Sequence, residues 1–338
     1  MRDFFFFRQL DDATAALGSS IWTALQNGTV LVLVTAVLLW LIGRRVPAGV
    51  HALLWTVALV KFVVPCGPGF SASLSQGLNI VGDPIAVNAS DVLAADAHPW
   101  LFYTKIVLLA AYGIVVVVLG VRAVRSWRRH AADARALPPA PGTSRALVAA
   151  CAEKLGIRPP DVRVSPERVA PHVAGIFRPI LVLPSWLADE PYAEQAFVLH
   201  ELAHLKRRDH FLLLAIAAVE IVFFFWPPVH FAARRLRTSR EAACDETAVT
   251  HGPLGAAAYA RSLVGVAARC VGTRTSGLVP SAVSTRLEAR VDYLLAPPRR
   301  RARTLVILFA GMWAIWALAG SRPAPRAGGC PESAHVHR

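Results

Sequence analysis

Residues 198–209 read VLHELAHLKRRD. His200 and His204 are four positions apart, so on a helix both lie on one face and can present ring nitrogens to a single ion. Glu201, the residue after His200, is placed to hold a water molecule beside that ion. Two imidazoles and a neighbouring carboxylate are the parts of a hydrolytic zinc site, which predicts one Zn2+ per chain and Glu201 as the catalytic base. The simpler alternative is a helix that carries two buried or solvated histidines.

A catalytic zinc ion takes three protein ligands and keeps a fourth position open, so a third ligand must come from elsewhere in the chain. Residues 240–245 read REAACD, within a stretch of good helix formers. Glu241 and Asp245 are four positions apart and therefore face the same way. We assign Glu241 as the third ligand and Asp245 as the acceptor for the N–H of a ligand histidine.

Other residues compete with Glu241 for the third position, namely Asp209, His210 and His230. The first two follow His204 too closely to return to the same ion from a continuing helix. Cys244 would offer a thiolate, although a small buried residue between two helices is its more ordinary role. The alternative for Glu241 is a solvated helix face. The residues alone leave these alternatives open.

The composition indicates a membrane protein with one modest globular part. Apolar residues make up 55% of the 338 residues and charged residues 17%, with a mean hydropathy of +0.45. An ordinary soluble domain has about 45–50% apolar and about 25% charged residues, so a conventional soluble enzyme is not expected. The first twelve residues carry FFFF instead of a basic leader, so no cleaved signal peptide is expected. Four stretches are long and uncharged enough to cross a bilayer, at about 19–43, 50–65, 100–121 and 304–320.

The formal net charge is +14, and the basic residues cluster at the ends of the predicted spans. Arginines follow the first and third spans and precede the last, whereas the loop at 66–99 contains no Lys or Arg. Because Lys and Arg mark cytoplasmic loops, we expect a multi-pass protein with both termini outside and the segment between the third and fourth spans inside. The basic runs lack interleaved aromatic residues, so they are expected to contact membrane lipid and not nucleic acid.

The predicted domains follow from these spans. Residues 1–135 form an N-terminal membrane region, residues 136–298 a cytoplasmic zinc protease domain, and residues 299–338 the last span with a short outer tail. Within the protease domain, Leu137–Ser144 reads as the opening linker because it is rich in Pro and Gly. Residues 162–184 are rich in branched side chains and predict two or three short strands. Helical spacing is found at 144–155 and 192–207.

A further apolar run at about 211–228 contains Glu220 and ends at Pro227 and Pro228. If this run crossed the membrane completely, Glu241 would emerge on the side opposite to His200. We therefore predict a membrane-associated hairpin whose backbone is shielded by protein. Glu220 is either functional or paired inside the hairpin.

Together these blocks resemble the bacterial membrane metallopeptidases of the BlaR/MecR antirepressor type. LLWTVALVKFVVP at 53–65 looks like the second span of that family, and VAGIFRPILVLP at 173–184 is similar to its strand pair before the zinc helix. VLHELAHLKRRD matches its HExxHxxRxD block, including Arg207 and Asp209, and REAACDE at 240–246 matches its ExxCD block. The resemblance supports Glu241 as the third ligand, with Asp245, Asp209 and Arg207 around the ligands. It implies a membrane α-helical protein with an inserted α+β gluzincin-like zinc protease domain.

By this resemblance the protein is a zinc metalloendopeptidase of the bacterial cytoplasmic membrane that acts in transmembrane signalling. Its substrate would be a winged-helix transcriptional repressor, with self-cleavage as a further reaction. The edge strand around Val173–Leu183 would bind the substrate by β-augmentation. A homodimer is compatible with the sequence. The alternatives are HtpX-like quality control of membrane proteins and a non-enzymatic zinc-stabilised receptor or scaffold, although no Cys-rich fourth ligand of a structural site is evident.

The sequence departs from the family pattern at two places. Pro227 and Pro228 stand where the family usually has an Asn-Pro pair. Only Ser321–Arg338 follows the last predicted span, whereas the best-known members carry a penicillin-binding sensor domain there. Because a Ser-x-x-Lys acylation motif is also missing from the sequence, covalent β-lactam sensing is not expected. Of the five cysteines, Cys66 and Cys330 are predicted outside, either as a disulfide or as two free thiols.

Overall fold

The computed structural model describes residues 2–42, 46–63, 99–270 and 280–296. Most of these residues are helical. The helices are α1 (Arg2–Ile42), α2 (Ala48–Val63), α3 (Pro99–Ala136), α4 (Gly142–Leu155), α5 (Pro191–Lys206), α6 (Asp209–Val222), α7 (Pro227–His251), α8 (Ala256–Cys270) and α9 (Pro280–Leu295). The strands are β1 (Asp161–Ser165), β2 (His172–Ala174) and β3 (Ile180–Pro184), and a short 3-10 helix, Ser185–Asp189, follows β3.

Two helices are long and apolar enough to cross a membrane by length and composition. Their apolar segments are Ala24–Leu41 in α1 and Tyr103–Ala136 in α3, whereas Ala48–Val63 is apolar but shorter. The predicted span at 304–320, the outer loop at 66–98, Cys66 and Cys330 lie outside the described residues. The described helices are thus consistent with a membrane-anchored protein, as the composition predicts.

The third apolar helix is longer than the sequence analysis predicts. We expected its span to end near Val121 and the following arginines to form a loop, but α3 continues to Ala136. Residues 122–136 contain no Gly or Pro and are rich in Arg and Ala, which favour helix. The helix ends just before Pro138 and Pro139, where proline stops helical hydrogen bonding. The basic residues after Val121 therefore lie on α3 itself, in the helical turns that follow its apolar part.

A small mixed sheet supports the helix that carries the histidines. The strand order is β1-β3-β2, with β1 parallel and β2 antiparallel to β3. The outer side of β1 is covered by the linker, since Ala140 donates to the Val162 carbonyl and Val164 donates to the Pro138 carbonyl, both at 3.0 Å. We expected Val173–Leu183 to form an edge strand, but β3 is central, so the edge is β2 alone. Gly175 permits the β2–β3 turn because its φ is +85° and a Cβ there would lie 2.7 Å from the Arg178 carbonyl oxygen.

The two faces of the sheet contact different helices. Leu181 and Leu183 of β3 point into the main core, which also contains side chains from α4, α5 and α8. Ile180 and Val182 point the other way and pack against Ala134 of α3. The sheet therefore connects the apolar helix α3 to α5.

The apolar run predicted as a membrane-associated hairpin forms helix α6 and a turn, and its two prolines begin α7 instead of making the turn. Helix α6 leads into a turn at Phe223–Trp226, and Pro227 begins α7, a position where proline is well tolerated. Trp226 Nε1 donates to Thr29 Oγ1 of α1 at 2.9 Å, and Tyr112 of α3 donates to the Val222 carbonyl at 2.8 Å. The first half of α7 packs along α1 and α2 through Val229, Ala232, Ala233 and Leu236. The turn is thus tied to α1 and α3, whereas the side chains of Phe224 and Phe225 stay exposed, so protein covers the turn only in part.

Glu220 is paired within this hairpin. Arg237 Nη1 donates to Glu220 Oε1 at 2.9 Å, and Arg237 Nη2 donates to the other carboxylate oxygen. His230 Nδ1 lies 3.7 Å from Glu220 Oε1. The paired alternative for Glu220 is the one that the structure supports.

Candidate metal centre

Helix α5 presents its two histidines to the same side. The rings of His200 and His204 lie edge to face with their centroids 4.9 Å apart. The helix begins with Pro191 and packs through Phe197, Val198, Leu199 and Leu202 against the sheet and α4. This packing fixes the rotation of α5, and with it the direction in which both imidazoles point.

Glu241 reaches the same place from α7. Its Oε2 lies 3.6 Å from His200 Nε2, and its Oε1 lies 3.6 Å from His204 Nε2. One ligand atom from each of the three residues can be chosen so that all lie within 4.8 Å of one another. The structure therefore brings together the three residues that the sequence analysis assigns as ligands.

The donor set fits a zinc ion. Two imidazole nitrogens and one carboxylate oxygen are typical ligands of catalytic zinc, and ligand atoms about 2.1 Å from a tetrahedral ion lie about 3.4 Å apart. The observed separations of 3.6 Å are close to that value. Among the described residues, the group of His, Cys, Asp and Glu that contains Glu241 has three members, so a fourth position would be left open.

Asp245 holds the far side of His200. Its Oδ1 lies 2.9 Å from His200 Nδ1, so that the N–H at Nδ1 donates to the carboxylate and Nε2 is left to face Glu241. Tyr259, which is fully buried on α8, donates to the same Oδ1 at 3.0 Å. Arg290 of α9 donates from Nε to Asp245 Oδ2 at 2.9 Å and from Nη2 to Oδ1 at 2.6 Å. The assigned acceptor role of Asp245 therefore agrees with its position.

Asp209 holds the far side of His204 in a similar way. Its Oδ2 lies 2.7 Å from His204 Nδ1 and 2.8 Å from Arg240 Nη2. We expected a continuing helix to carry Asp209 away from His204, but α5 ends at Lys206 and Arg208 adopts a left-handed conformation with φ +55°. This break starts α6 at Asp209 and turns the carboxylate back to the ring. Asp209 thus contacts a ligand histidine from outside, and does not share the space between the ligand atoms.

Within the described part of the chain, Arg207 makes no hydrogen bond or ion pair with a ligand residue, but its charge opposes the effect of burial on the pKa of Cys244, behind His204. The arginine that pairs with Asp209 is Arg240, whereas Arg207 is exposed at the end of α5 and its guanidinium lies 3.9 Å from the Cβ position of Gly49. The rival ligands are also elsewhere. His230 lies in the hairpin, where its Nε2 is 2.9 Å from the Phe224 carbonyl, and neither His210 nor His230 belongs to a metal-binding group of the described residues.

Cys244 lies behind His204 and is fully buried. Its Sγ is 3.3 Å from His204 Nδ1 and 3.9 Å from Asp209 Oδ2. These three residues form a second group of potential ligands, but the Nδ1 of His204 and the carboxylate of Asp209 are already engaged with each other. Burial and the nearby charges of Asp209 and Glu241 raise the pKa of the Cys244 thiol far above its usual range. A neutral packing residue is the role that fits this environment.

The electrostatics of the site shift the pKa values of its carboxylates in opposite directions. Burial raises the pKa of Glu241, but hydrogen bonding to His200 and the charges of His204 and Arg290 outweigh burial and hold it well below its usual range. The pKa of Asp245 is lowered in the same way by His200 and Arg290, against the effect of burial. For Glu201 burial is the largest effect and raises the pKa, against the charges of the two histidines. A carboxylate with a raised pKa suits proton transfer near neutral pH.

Three residues of this network were missed by the sequence analysis: Arg240, Tyr259 and Arg290. Arg240 is adjacent to Glu241 in the REAACD block, and this position beside a predicted ligand could have identified it as a residue of the site. Tyr259 and Arg290 stand 14 and 45 positions from Asp245 in the chain, in helices without a motif. Only the packing of α8 and α9 against α7 brings them to the site.

Comparison with known proteins agrees with this architecture. A family model described as BlaR1 peptidase M56 matches residues 19–294, which include all the residues of the site. The chain is also similar to Regulatory protein BlaR1 of Bacillus licheniformis, with 33% identity over 85 residues. These residues are 24% of this chain and 14% of that relative, so the chain covers only a small part of the relative's length.

Proposed function

The chain belongs to the BlaR1 peptidase M56 family, and from that membership we propose that it is a membrane-anchored zinc metalloendopeptidase that acts in transmembrane signalling. The single observation that carries the proposal is the convergence of His200, His204 and Glu241, with ligand atoms within 4.8 Å. Each histidine has its other nitrogen held by a carboxylate, which is the usual support of a metal ligand. The apolar helices α1 and α3 supply the anchor.

The residues of the chain have separate tasks in the proposed reaction. A zinc ion held by the three ligands would polarise the scissile carbonyl and acidify a water molecule. Glu201 takes the proton of that water on its carboxylate and returns it to the nitrogen of the leaving amine. Asp245 and Asp209 keep both imidazoles in the tautomer whose Nε2 is free to bind metal. The side chain of His200 is nearly fully buried, whereas those of His204 and Glu241 are 19% and 38% exposed, so the ligand face remains open to water and substrate.

The edge strand β2 is the proposed docking place of the substrate. Because β2 pairs only with β3 in the described part of the chain, an extended peptide can add to its other side through backbone hydrogen bonds. The charge of His172 on β2 is close enough to lower the pKa of Glu201, which indicates that this strand runs near the catalytic carboxylate. A peptide bound there would therefore lie beside the site.

We propose a cytoplasmic transcriptional repressor of the winged-helix type as the substrate, with self-cleavage as a second reaction. The support is the family membership and the word regulatory in the name of the similar protein. In the proposed topology both termini lie outside the cytoplasmic membrane and the protease domain faces the cytoplasm, in line with the distribution of Lys and Arg.

The test compares the detergent-purified wild type with Glu201→Gln and Glu241→Ala. We expect wild type to hold one zinc ion and to cleave the repressor, Glu201→Gln to hold zinc while losing about 10²–10⁴-fold in rate, and Glu241→Ala to lose zinc. Glu153→Gln is the matched control, because Glu153 is exposed on α4 and should behave as wild type. Full activity of Glu201→Gln contradicts the proposal. Broad cleavage of misfolded membrane proteins would instead support a role in quality control. Zinc binding without any cleavage would support a non-enzymatic scaffold.

A further inference from the structure

Arg290 on α9 bridges two carboxylates of the site. Its Nε and Nη2 donate to the two oxygens of Asp245 at 2.9 and 2.6 Å, and its Nη1 lies 3.4 Å from Glu241 Oε2. Asp245 and Glu241 are four positions apart on α7, so they form one face of that helix. The planar guanidinium thus forms a bidentate pair with the Asp245 carboxylate and also lies beside the Glu241 carboxylate.

The contacts of Asp245 show why its orientation matters. The side chain is fully buried and Oδ1 is shared by His200 Nδ1, the hydroxyl of Tyr259 and Arg290. A carboxylate that is pinned at both oxygens cannot rotate away from the imidazole. The direction of the His200 ring is therefore fixed from α9 through Asp245.

We propose that Arg290 is a positioning residue of the metal centre, which orients His200 through Asp245 and restrains Glu241 directly. This inference rests on the ligand set of the proposed function. It goes beyond that function in making α9, an element without a recognisable motif, part of the metal-binding unit. The polar contacts of Arg290 are with the carboxylates of Asp245 and Glu241, so we expect it to act through the ligands.

A purely structural role is the competing explanation, in which Arg290 attaches α9 and has no effect on the ligands. The two roles differ in zinc affinity and in the coordination geometry of a substituted ion. Loss of an outer partner of a metal ligand typically lowers metal affinity by about 10–100-fold. A structural attachment would lower the melting temperature and leave affinity and geometry unchanged.

The experiment uses the full chain in detergent and three variants: Arg290→Met, Arg290→Lys and Arg269→Met. Zinc affinity is measured by competition with a chelator, and coordination by the visible spectrum of the Co2+-substituted protein. We expect Arg290→Met to bind zinc about 10–100-fold more weakly with an altered Co2+ spectrum. Arg290→Lys keeps the charge but lacks the fork, so it should fall between Arg290→Met and wild type. Arg269 pairs with Glu190 on the surface, so Arg269→Met should match wild type.

Wild-type affinity and spectrum in folded Arg290→Met would overturn the inference, even with a lower melting temperature. If Arg290→Met does not fold, the zinc affinity of Arg290→Lys tests the inference. An affinity at least about threefold below that of wild type supports the inference, and an unchanged affinity overturns it. Failure of the proposed function is distinguishable from both outcomes. In that case wild type itself binds no zinc that depends on Glu241.

Discussion

Asp245 Oδ1 lies 2.9 Å from His200 Nδ1, on the side of the ring opposite to the nitrogen that faces Glu241. The same helix therefore supplies one candidate metal ligand, Glu241, and four positions later the carboxylate that contacts a second candidate ligand, His200. Because both side chains leave one face of α7, any change in the rotation of this helix affects His200 and Glu241 together.

Asp245→Asn is expected to weaken zinc binding and to destabilise the fold. The amide cannot neutralise Arg290, and breaking a buried ion pair on one side costs up to about 3–5 kcal/mol. We expect about 10–100-fold weaker zinc binding by chelator competition and a lower unfolding temperature. The control is Asp161→Asn, which removes an exposed pair with Arg163 and should change stability by less than about 1 kcal/mol. Equal behaviour of the two variants would contradict the assigned role of Asp245.

The left-handed residue between α5 and α6 gives a second prediction. Arg208 has φ +55°, a conformation that costs a non-glycine residue about 1–2 kcal/mol. Arg208→Gly should be neutral or stabilising by up to about 1 kcal/mol, whereas Arg208→Val should be destabilising by about 1–2 kcal/mol because it is β-branched. Both are measured by thermal unfolding. Because the break directs Asp209 to His204, Arg208→Val should also bind zinc more weakly. If the valine variant is as stable as the glycine variant, residue 208 does not have the left-handed conformation.

The packing of α1 against α2 is tested at Gly28. A Cβ added there would lie 2.5 Å from the ring of Phe62, which is 2% exposed and also packs against Phe223. Gly28→Ala should therefore destabilise the protein by about 1–3 kcal/mol through overpacking. Gly18→Ala is the matched control on the same helix, since a Cβ at Gly18 meets nothing within 4 Å and alanine favours helix by about 0.5–1 kcal/mol. Stabilisation by both substitutions would refute the close contact.

Cys244→Ala is expected to retain zinc with near wild-type affinity, since the thiol packs behind His204 and is not assigned as a ligand. Burial and the nearby carboxylates raise the pKa of Cys244, and the thiolate is the reactive form, so alkylation should become appreciable only well above the pH at which ordinary thiols react. Residue-resolved mass spectrometry after iodoacetamide treatment should find Cys270 modified before Cys151 and Cys244, because Cys270 is partly exposed and the other two are buried. Loss of zinc in Cys244→Ala would make the thiol a ligand after all.

The sequence was sufficient for features that depend on local spacing. The helical spacing at 192–207 predicts α5 to within one residue at each end, and branched residues at 162–184 predict the strands. The family resemblance drawn from the HExxHxxRxD and ExxCD blocks is confirmed by the family match over residues 19–294. Such features are encoded within a few turns of chain.

Features that depend on long-range packing could not be predicted. The spacing of His204 and Asp209 gives no sign of the break at Arg208, which brings Asp209 back to the ring. The pairing of Asp209 with Arg240 joins two helices through residues 31 positions apart in the chain, and the sequence analysis did not predict it. Arg290 reaches Asp245 across 45 positions, and no local pattern specifies such a contact.

Helix α7 runs without interruption from the hairpin turn to the ligand and beyond. Trp226, just before its first residue, is held by Thr29 of α1, and Glu241 follows 15 residues later, about 22 Å along the axis. Because α7 has no break over this length, we expect a displacement of α1 at Thr29 to be transmitted along α7 to Glu241. One continuous helix therefore joins a contact with the apolar helix α1 to the candidate metal ligand Glu241.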